Sequence, residues 1–240
     1  MNNKLEKIYE LKRELSLRRP LNQSEIKKIK ENFIIKNVYN SNAIEGNALT
    51  EMETRFIIET NLTVGKKSLK EHLEIRNYYN ALLYLETLTN KILSEENIKD
   101  IYTILLDGID RANAGKYRSV DVRINGATHD VTSSHLIPQE MNDLLAWYTS
   151  EPVTINRIIK FICKFINIHP FIEGNGRTSG LLTNLELLKL GYPPITILAT
   201  DRLKYYQALD KSYFGDYEEA YDFFYNCIIE SLNEYLSFTN

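Results

Sequence analysis

The sequence predicts an all-α fold: a bundle of helices around one buried central helix, carrying a single β-hairpin. Three observations lead there. Only 10 glycines and 6 prolines punctuate 240 residues, and the stretches between them repeat apolar side chains at helical spacing. Residues 155–168 place Ile158, Ile159, Phe161, Ile162, Phe165, Ile166 and Ile168 on nearly every side, and a helix that is apolar all round belongs in a core. Residues 114–136 instead alternate Val120-x-Val122-x-Ile124, with Gly126 as a bend and Val131 beyond it, the pattern of a short hairpin.

Start signals mark the first helices. Thr50-x-x-Glu53 and Ser68-x-x-Glu71 are capping boxes, and Ser24-x-x-Lys27 is a weaker form of the same pattern. From Ser68 onward, Leu69, Leu73, Ile75, Tyr79, Leu82 and Leu83 give one helix a buried face. Helices are also expected over 94–106, 138–148 and 155–168, then from Arg177 through Leu181, Leu182, Leu185 and Leu188. Two more cover 205–213 and 217 to about 236. No repeat, low-complexity tract or linker-like shift in composition interrupts the chain, so one domain over 1–240 is expected.

Composition removes several function classes. A net charge of −3 gives no basic excess for nucleic acid. Two cysteines, Cys163 and Cys227, are too few for a disulfide scaffold or a Cys-rich zinc site. The first fifteen residues are charged throughout, unlike a secretory leader. No run of about 18 apolar residues exists, so no membrane span is expected, and the reading is a soluble, cytoplasmic protein.

The most informative stretch is His169-Pro170-Phe171-Ile172-Glu173-Gly174-Asn175-Gly176-Arg177. Pro170 disfavours helix at His169, so the buried helix should end there with the imidazole at its tip. Gly174-Asn175-Gly176 can turn sharply into the next helix, and a glycine turn at a helix N-terminus cradles phosphate with its orphan N–H groups and dipole. Arg177 in that first turn opposes the dipole, which makes sense only as an anion clamp. Glu173 supplies a hard oxygen for Mg²⁺, which commonly binds through one carboxylate plus substrate phosphates. His169, with an ordinary pKa near neutrality, is the natural general base.

This string resembles the Fic (filamentation induced by cAMP) family, whose motif reads HPFx(D/E)GNGRxxR; residues 169–177 match it position for position. Ser41-Asn42-Ala43-Ile44-Glu45-Gly46-Asn47 is similar to the family's N-terminal inhibitory motif, (S/T)xxxE(G/N), as in class II members. Gly115-Lys116-Tyr117-Arg118 with the Val122–His129 stretch resembles the family's flap. Gly191-Tyr192-Pro193-Pro194 and Arg202-x-x-Tyr205-Tyr206-x-x-Leu209 also look familiar from it.

The resemblance implies a Fic-type bundle, with an inhibitory helical region over about 1–60 and a core over about 61–240. It implies transfer of AMP from ATP, or of the monophosphate of another nucleoside triphosphate, to a Ser, Thr or Tyr hydroxyl of a target protein. A second candidate target is the chain itself, and a homo-oligomer is compatible with the sequence. In this reading His169 deprotonates the hydroxyl and Glu173 holds Mg²⁺. Gly174, Asn175 and Gly176 bind phosphate oxygens through N–H groups and the Asn175 amide, and Arg177 steadies the leaving pyrophosphate. Gly126, Tyr205 and Tyr206 are expected around the nucleotide, with His129 a further candidate to cover it, and the hairpin edge would pair with an extended target segment. Glu45 would restrain the site, with Ser41, one turn earlier, hydrogen-bonding its carboxylate and Gly46 closing the helix.

One motif position departs. The final arginine is Gly180 here, so both the γ-phosphate and Glu45 lose an expected cation. Two alternatives stand beside transfer: removal of AMP from a modified protein by water oriented at Glu45, or a regulatory module that binds nucleotide poorly because of Gly180.

Overall fold

The computed structural model describes residues 2–18, 22–124 and 126–238. Ten α-helices cover most of them: α1 (Asn2–Leu17), α2 (Gln23–Ile44), α3 (Glu51–Thr60), α4 (Leu69–Leu85), α5 (Glu95–Leu105), α6 (Ile137–Thr149), α7 (Ile155–Ile168), α8 (Asn175–Lys189), α9 (Arg202–Tyr213) and α10 (Glu218–Ser237). Helix α7 is central. Ten of its side chains are buried, Cys163 among them, and it packs on α6, α8, α9 and α10. Helix α8 is buried as thoroughly but is not simply apolar, since Thr178, Ser179, Thr183, Asn184 and Glu186 are enclosed with its leucines. Most of these polar groups have partners, Thr178 Oγ1 excepted: Asn184 exchanges two hydrogen bonds with the Ile195 backbone, and Glu186 accepts from Tyr148 OH at 2.7 Å. Among the described residues no helix is long and apolar enough to cross a membrane.

The capping boxes at Thr50 and Ser68 form as expected. The weaker signal at Ser24 lies two residues too late. Asn22 caps α2, accepting from Glu25 N and receiving the Glu25 carboxylate on its own N–H, while Ser24 Oγ only donates to Asn22 Oδ1. Helix α1 was hidden by its charge. Leu5, Ile8, Leu11 and Leu15 recur every three or four residues, and Ile8 and Leu11 are buried where α1 lies along α10.

The β-hairpin does not form. Among the described residues, 114–136 contains no strand, and Asn125 lies outside them. A two-stranded ribbon needs a ladder or a face to cover, and this segment is tied down by side chains instead. The carbonyls of Val120 and Thr132, which would face each other in a hairpin, both accept from the Arg118 guanidinium. At the far end Thr128 donates its N–H and hydroxyl to Asp210 of α9, at 2.9 and 2.7 Å, and His129 Nδ1 meets the same carboxylate at 3.1 Å. Val120 itself is left exposed. The flap is a pinned loop, so it presents no strand edge of its own.

Candidate functional site

Helix α7 ends on His169, whose φ of 53° and ψ of 60° are left-handed, a conformation that L side chains adopt only under constraint. The constraint is visible. Arg118, fully enclosed, donates Nε to His169 O at 2.8 Å, its guanidinium also reaches Ile168 O, and its backbone N–H donates to Pro170 O at 2.9 Å. Three successive carbonyls after α7 therefore converge on one residue. Phe171 is held from the other side, stacked on Tyr102 with centroids 3.8 Å apart. Burial pushes the His169 imidazole down to about 4; the Ile166 backbone opposes this and the Arg118 charge adds to it. Nδ1 is buried without a hydrogen bond, leaving Nε2 as the nitrogen with solvent access.

The chain then turns through Gly174, where φ is +72°, into α8. No side chain caps this helix, so the first-turn N–H groups of Asn175, Gly176 and Arg177 keep their free donors. The Asn175 amide is not turned toward that opening. It accepts from Phe171 N at 3.0 Å and donates to Phe171 O at 2.8 Å, fixing the loop, so only its backbone N–H faces a phosphate. Arg177 lies back over Gly174 with its side chain 4% exposed, and its Nε and Nη1 make no hydrogen bond. Glu173 is more open and has Lys70 Nζ at 3.5 Å. Among the described residues no three metal-ligating side chains come together, and Glu173 offers a single half-exposed carboxylate beside the N-terminus of α8.

Glu45 reaches this cradle from the C-terminus of α2, where Gly46 at φ +93° closes the helix as expected. Its carboxylate presses against Gly176 so closely that a Cβ there would collide with Oε1. Burial raises the Glu45 carboxyl above the usual range; Arg177 and Arg202 oppose this, while Glu74 and Glu173 add to it. Ser41 does not support that carboxylate. Its hydroxyl donates to Tyr78 OH at 2.7 Å, which in turn donates to Asn37 Oδ1 at 3.1 Å. The shared helical face brought Ser41 near, but α4 supplied a better partner.

Other expected residues separate. Gly126 is an exposed turn with nothing packed against it, and no contact joins it to the cradle. His129 stacks on Tyr213 at 3.8 Å and serves the flap's anchorage on α9. Tyr205 is buried against Phe223 and Phe224 with its hydroxyl 3.4 Å from Ser179 Oγ, whereas Tyr206 keeps an exposed face under Arg202. Arg118, Glu74 and Tyr78 were missed as individual site residues. Glu74 pairs with Arg177, Nη1–Oε1 3.4 Å, across a separation in sequence that no motif spans.

Gly180 borders a cavity of about 30 Å³, room enough for a water, together with Ser41, Glu45, Tyr78 and Gly176. A Cβ at Gly180 would meet Tyr78 OH at 3.6 Å, an ordinary contact. Gly180→Ala should therefore recover the helix penalty and raise stability by about 0.5–1 kcal/mol, read as a higher denaturation midpoint at unchanged slope. A lower midpoint would show that Tyr78 cannot tolerate the methyl.

Residues 92–187 match the model of the Fic/DOC family. A protein adenylyltransferase Fic from Nematostella vectensis is 35% identical over 218 residues, covering 88% of this chain and 50% of that protein. One of the same name from Aedes aegypti is 33% identical, covering 88% and 43%. The chain thus spans about half the length, or less, of these curated relatives. Among solved structures, a Fic domain containing signaling protein from Bacteroides thetaiotaomicron superposes with a TM-score of 0.88 at 26% identity, covering 98% of this chain and 96% of that one. Fic-1 from C. elegans gives 0.89 at 26% identity, covering 98% and 72%. The chain carries a domain of the Fic/DOC family over residues 92–187.

Proposed function

We propose that this chain is a protein adenylyltransferase restrained by Glu45, transferring AMP from ATP to a Ser, Thr or Tyr hydroxyl of a protein with Mg²⁺ as cofactor. The observation that carries the reading is the uncapped N-terminus of α8 beside Arg177, whose buried Nε and Nη1 lack acceptors. Unmet donors on a buried guanidinium are costly, and phosphate oxygens satisfy them. The names of the curated relatives support the same activity.

In this mechanism the target hydroxyl attacks the α-phosphorus. The new O–P bond forms as the bond to the β-phosphate breaks, and pyrophosphate leaves. His169 Nε2 takes the hydroxyl proton. Glu173 is the residue that would hold Mg²⁺, which when bound neutralises charge on the phosphates. The N–H groups of Asn175 and Gly176 and the Arg177 guanidinium hold phosphate oxygens in place, because positioning and charge neutralisation supply most of such catalysis. Tyr206, with its exposed ring, is the better of the two tyrosines to line a base. Glu45, lying on Gly176, repels a triphosphate from the same space. Residues of about 1–60 then form the restraining region and about 61–240 the catalytic core.

Intact mass measurement after incubation with Mg²⁺ and each nucleoside triphosphate tests the reading, on the chain and on its Glu45→Gly variant with candidate targets. A gain of one nucleoside monophosphate names reaction and donor; no gain with any nucleotide in either form overturns it. The buried imidazole also sets a pH profile. With His169 held down to about 4, kcat/KM should stay level through pH 6 and fall only on approaching the depressed value, rather than titrating near 6.5. Between those two values the unfolded chain binds a proton that the folded chain refuses, so stability should decline as pH falls through that window. An acid limb centred near 6.5 in kcat/KM would show that His169 is not the titrating base in the free enzyme.

A further inference from the structure

We propose that Glu74 is a positioning residue of this site: it is the resident counter-anion of Arg177, which nucleotide phosphate has to displace, and Asn47 couples it to the segment that carries Glu45. The inference rests on the transferase reading above.

Arg177 cannot be left alone in its position. Its side chain is 4% exposed, and a buried guanidinium without a counter-charge is strongly destabilising. Among the described residues Glu74 is the carboxylate within ion-pair distance of it, at 3.4 Å and itself only 13% exposed. The pair is loosely made: Nη1 stands 3.4 Å from Oε1 without a hydrogen bond, and Nε has no hydrogen bond either. Glu74 thus balances the charge without using up the donors. An incoming phosphate meets a nearly neutral clamp and gains its full grip only by taking Arg177 over from Glu74.

The other Glu74 oxygen points elsewhere. Oε2 accepts from Asn47 Nδ2 at 2.9 Å, and the same amide donates to Glu71 O at 3.1 Å. Asn47 stands two residues after Glu45, so the chain that places Glu45 on Gly176 is fastened to the carboxylate that neutralises Arg177. With glycine at 180, no motif arginine stands there to receive either carboxylate. Glu45 works by occupying space beside the cradle and Glu74 by cancelling charge under it, and one hydrogen-bonded amide joins the two.

Calorimetric titration of ATP and of inorganic pyrophosphate into wild type, Glu74→Gln, Arg177→Met and the double variant tests this. Glu74→Gln keeps an oxygen for Asn47 and removes the charge. ATP should bind it about tenfold more tightly, the order of a typical coupling between two ligands of one group. The gain should vanish in the Arg177→Met background. Unchanged or weaker binding in Glu74→Gln, or a gain that survives without Arg177, overturns the proposal. Should Glu74→Gln fail to fold, Asn47→Ala, which loosens the same carboxylate, is expected to tighten binding two- to threefold, again only with Arg177 present, and no change overturns the proposal. If no variant and no wild type binds nucleotide, the transferase reading fails. The unfolding midpoints of the same four proteins still judge Glu74, since additive effects of the two substitutions would mean the pair does not exist.

Discussion

His169→Ala is expected to lose transfer by roughly 10²–10⁴-fold while retaining its helix content and its affinity for nucleotide. The argument is geometric. The imidazole hangs from the left-handed residue that caps α7, beyond the buried side chains of the helix itself, so its removal leaves the faces of α7 intact. In the proposed mechanism nucleotide is held instead by the first turn of α8 and Arg177, on the far side of the Gly174 turn. Binding and chemistry are therefore separable. Titration should give a wild-type dissociation constant, and saturating nucleotide should not restore the rate. A variant that transfers at the wild-type rate would remove His169 from the mechanism.

Arg118→Leu should cost more than any surface substitution in the chain, about 3–5 kcal/mol of stability, because two or three well-made hydrogen bonds to a buried charge are worth about that. Four carbonyls, those of Val120, Thr132, Ile168 and His169, accept from this guanidinium. Without it they are left facing apolar surface. For a chain of this size the loss corresponds to a fall in melting temperature of about 10 °C. Arg118→Lys should recover little, since a single ammonium cannot span carbonyls lying in several directions. Activity should fall further than stability, because the flap and the His169 backbone lose the same anchor. Limited proteolysis in the range 120–132 and a thermal melt check both parts; a flap that stays resistant in Arg118→Leu would show that the Asp210 contacts suffice to hold it.

Helix α7 was legible because its evidence is local and redundant, with apolar residues at nearly every position from 155 to 168. The turn from α7 into α8 was legible for a related reason: the residues proposed as base, metal carboxylate and clamp fall with the glycine turn within nine consecutive residues. What could not be read depends on pairing across the chain. Glu74 sits on a helix face with Lys70 four residues before it, the mark of a solvated surface carboxylate, and only the approach of α8 makes it the partner of a buried arginine. Arg118 carries no sign that it will be enclosed. The hairpin failed on the same ground, since alternation at Val120, Val122 and Ile124 describes a strand only if another strand arrives, and the carbonyls were taken by a side chain first. Ser41 shows the smaller version of this limit: its spacing from Glu45 was right, but Tyr78 captured the hydroxyl.

The enclosure of α7 gives the protein an internal clock. Cys163 lies in the middle of that helix, wholly sealed, and burial pushes its thiol up to about 12, so at neutral pH it offers neither access nor thiolate to an alkylating reagent. It can react only when α7 leaves its neighbours, which is the same event that dismantles the seat of His169. The rate at which Cys163 takes up iodoacetamide under native conditions thus measures how often α7 opens, without any label being introduced.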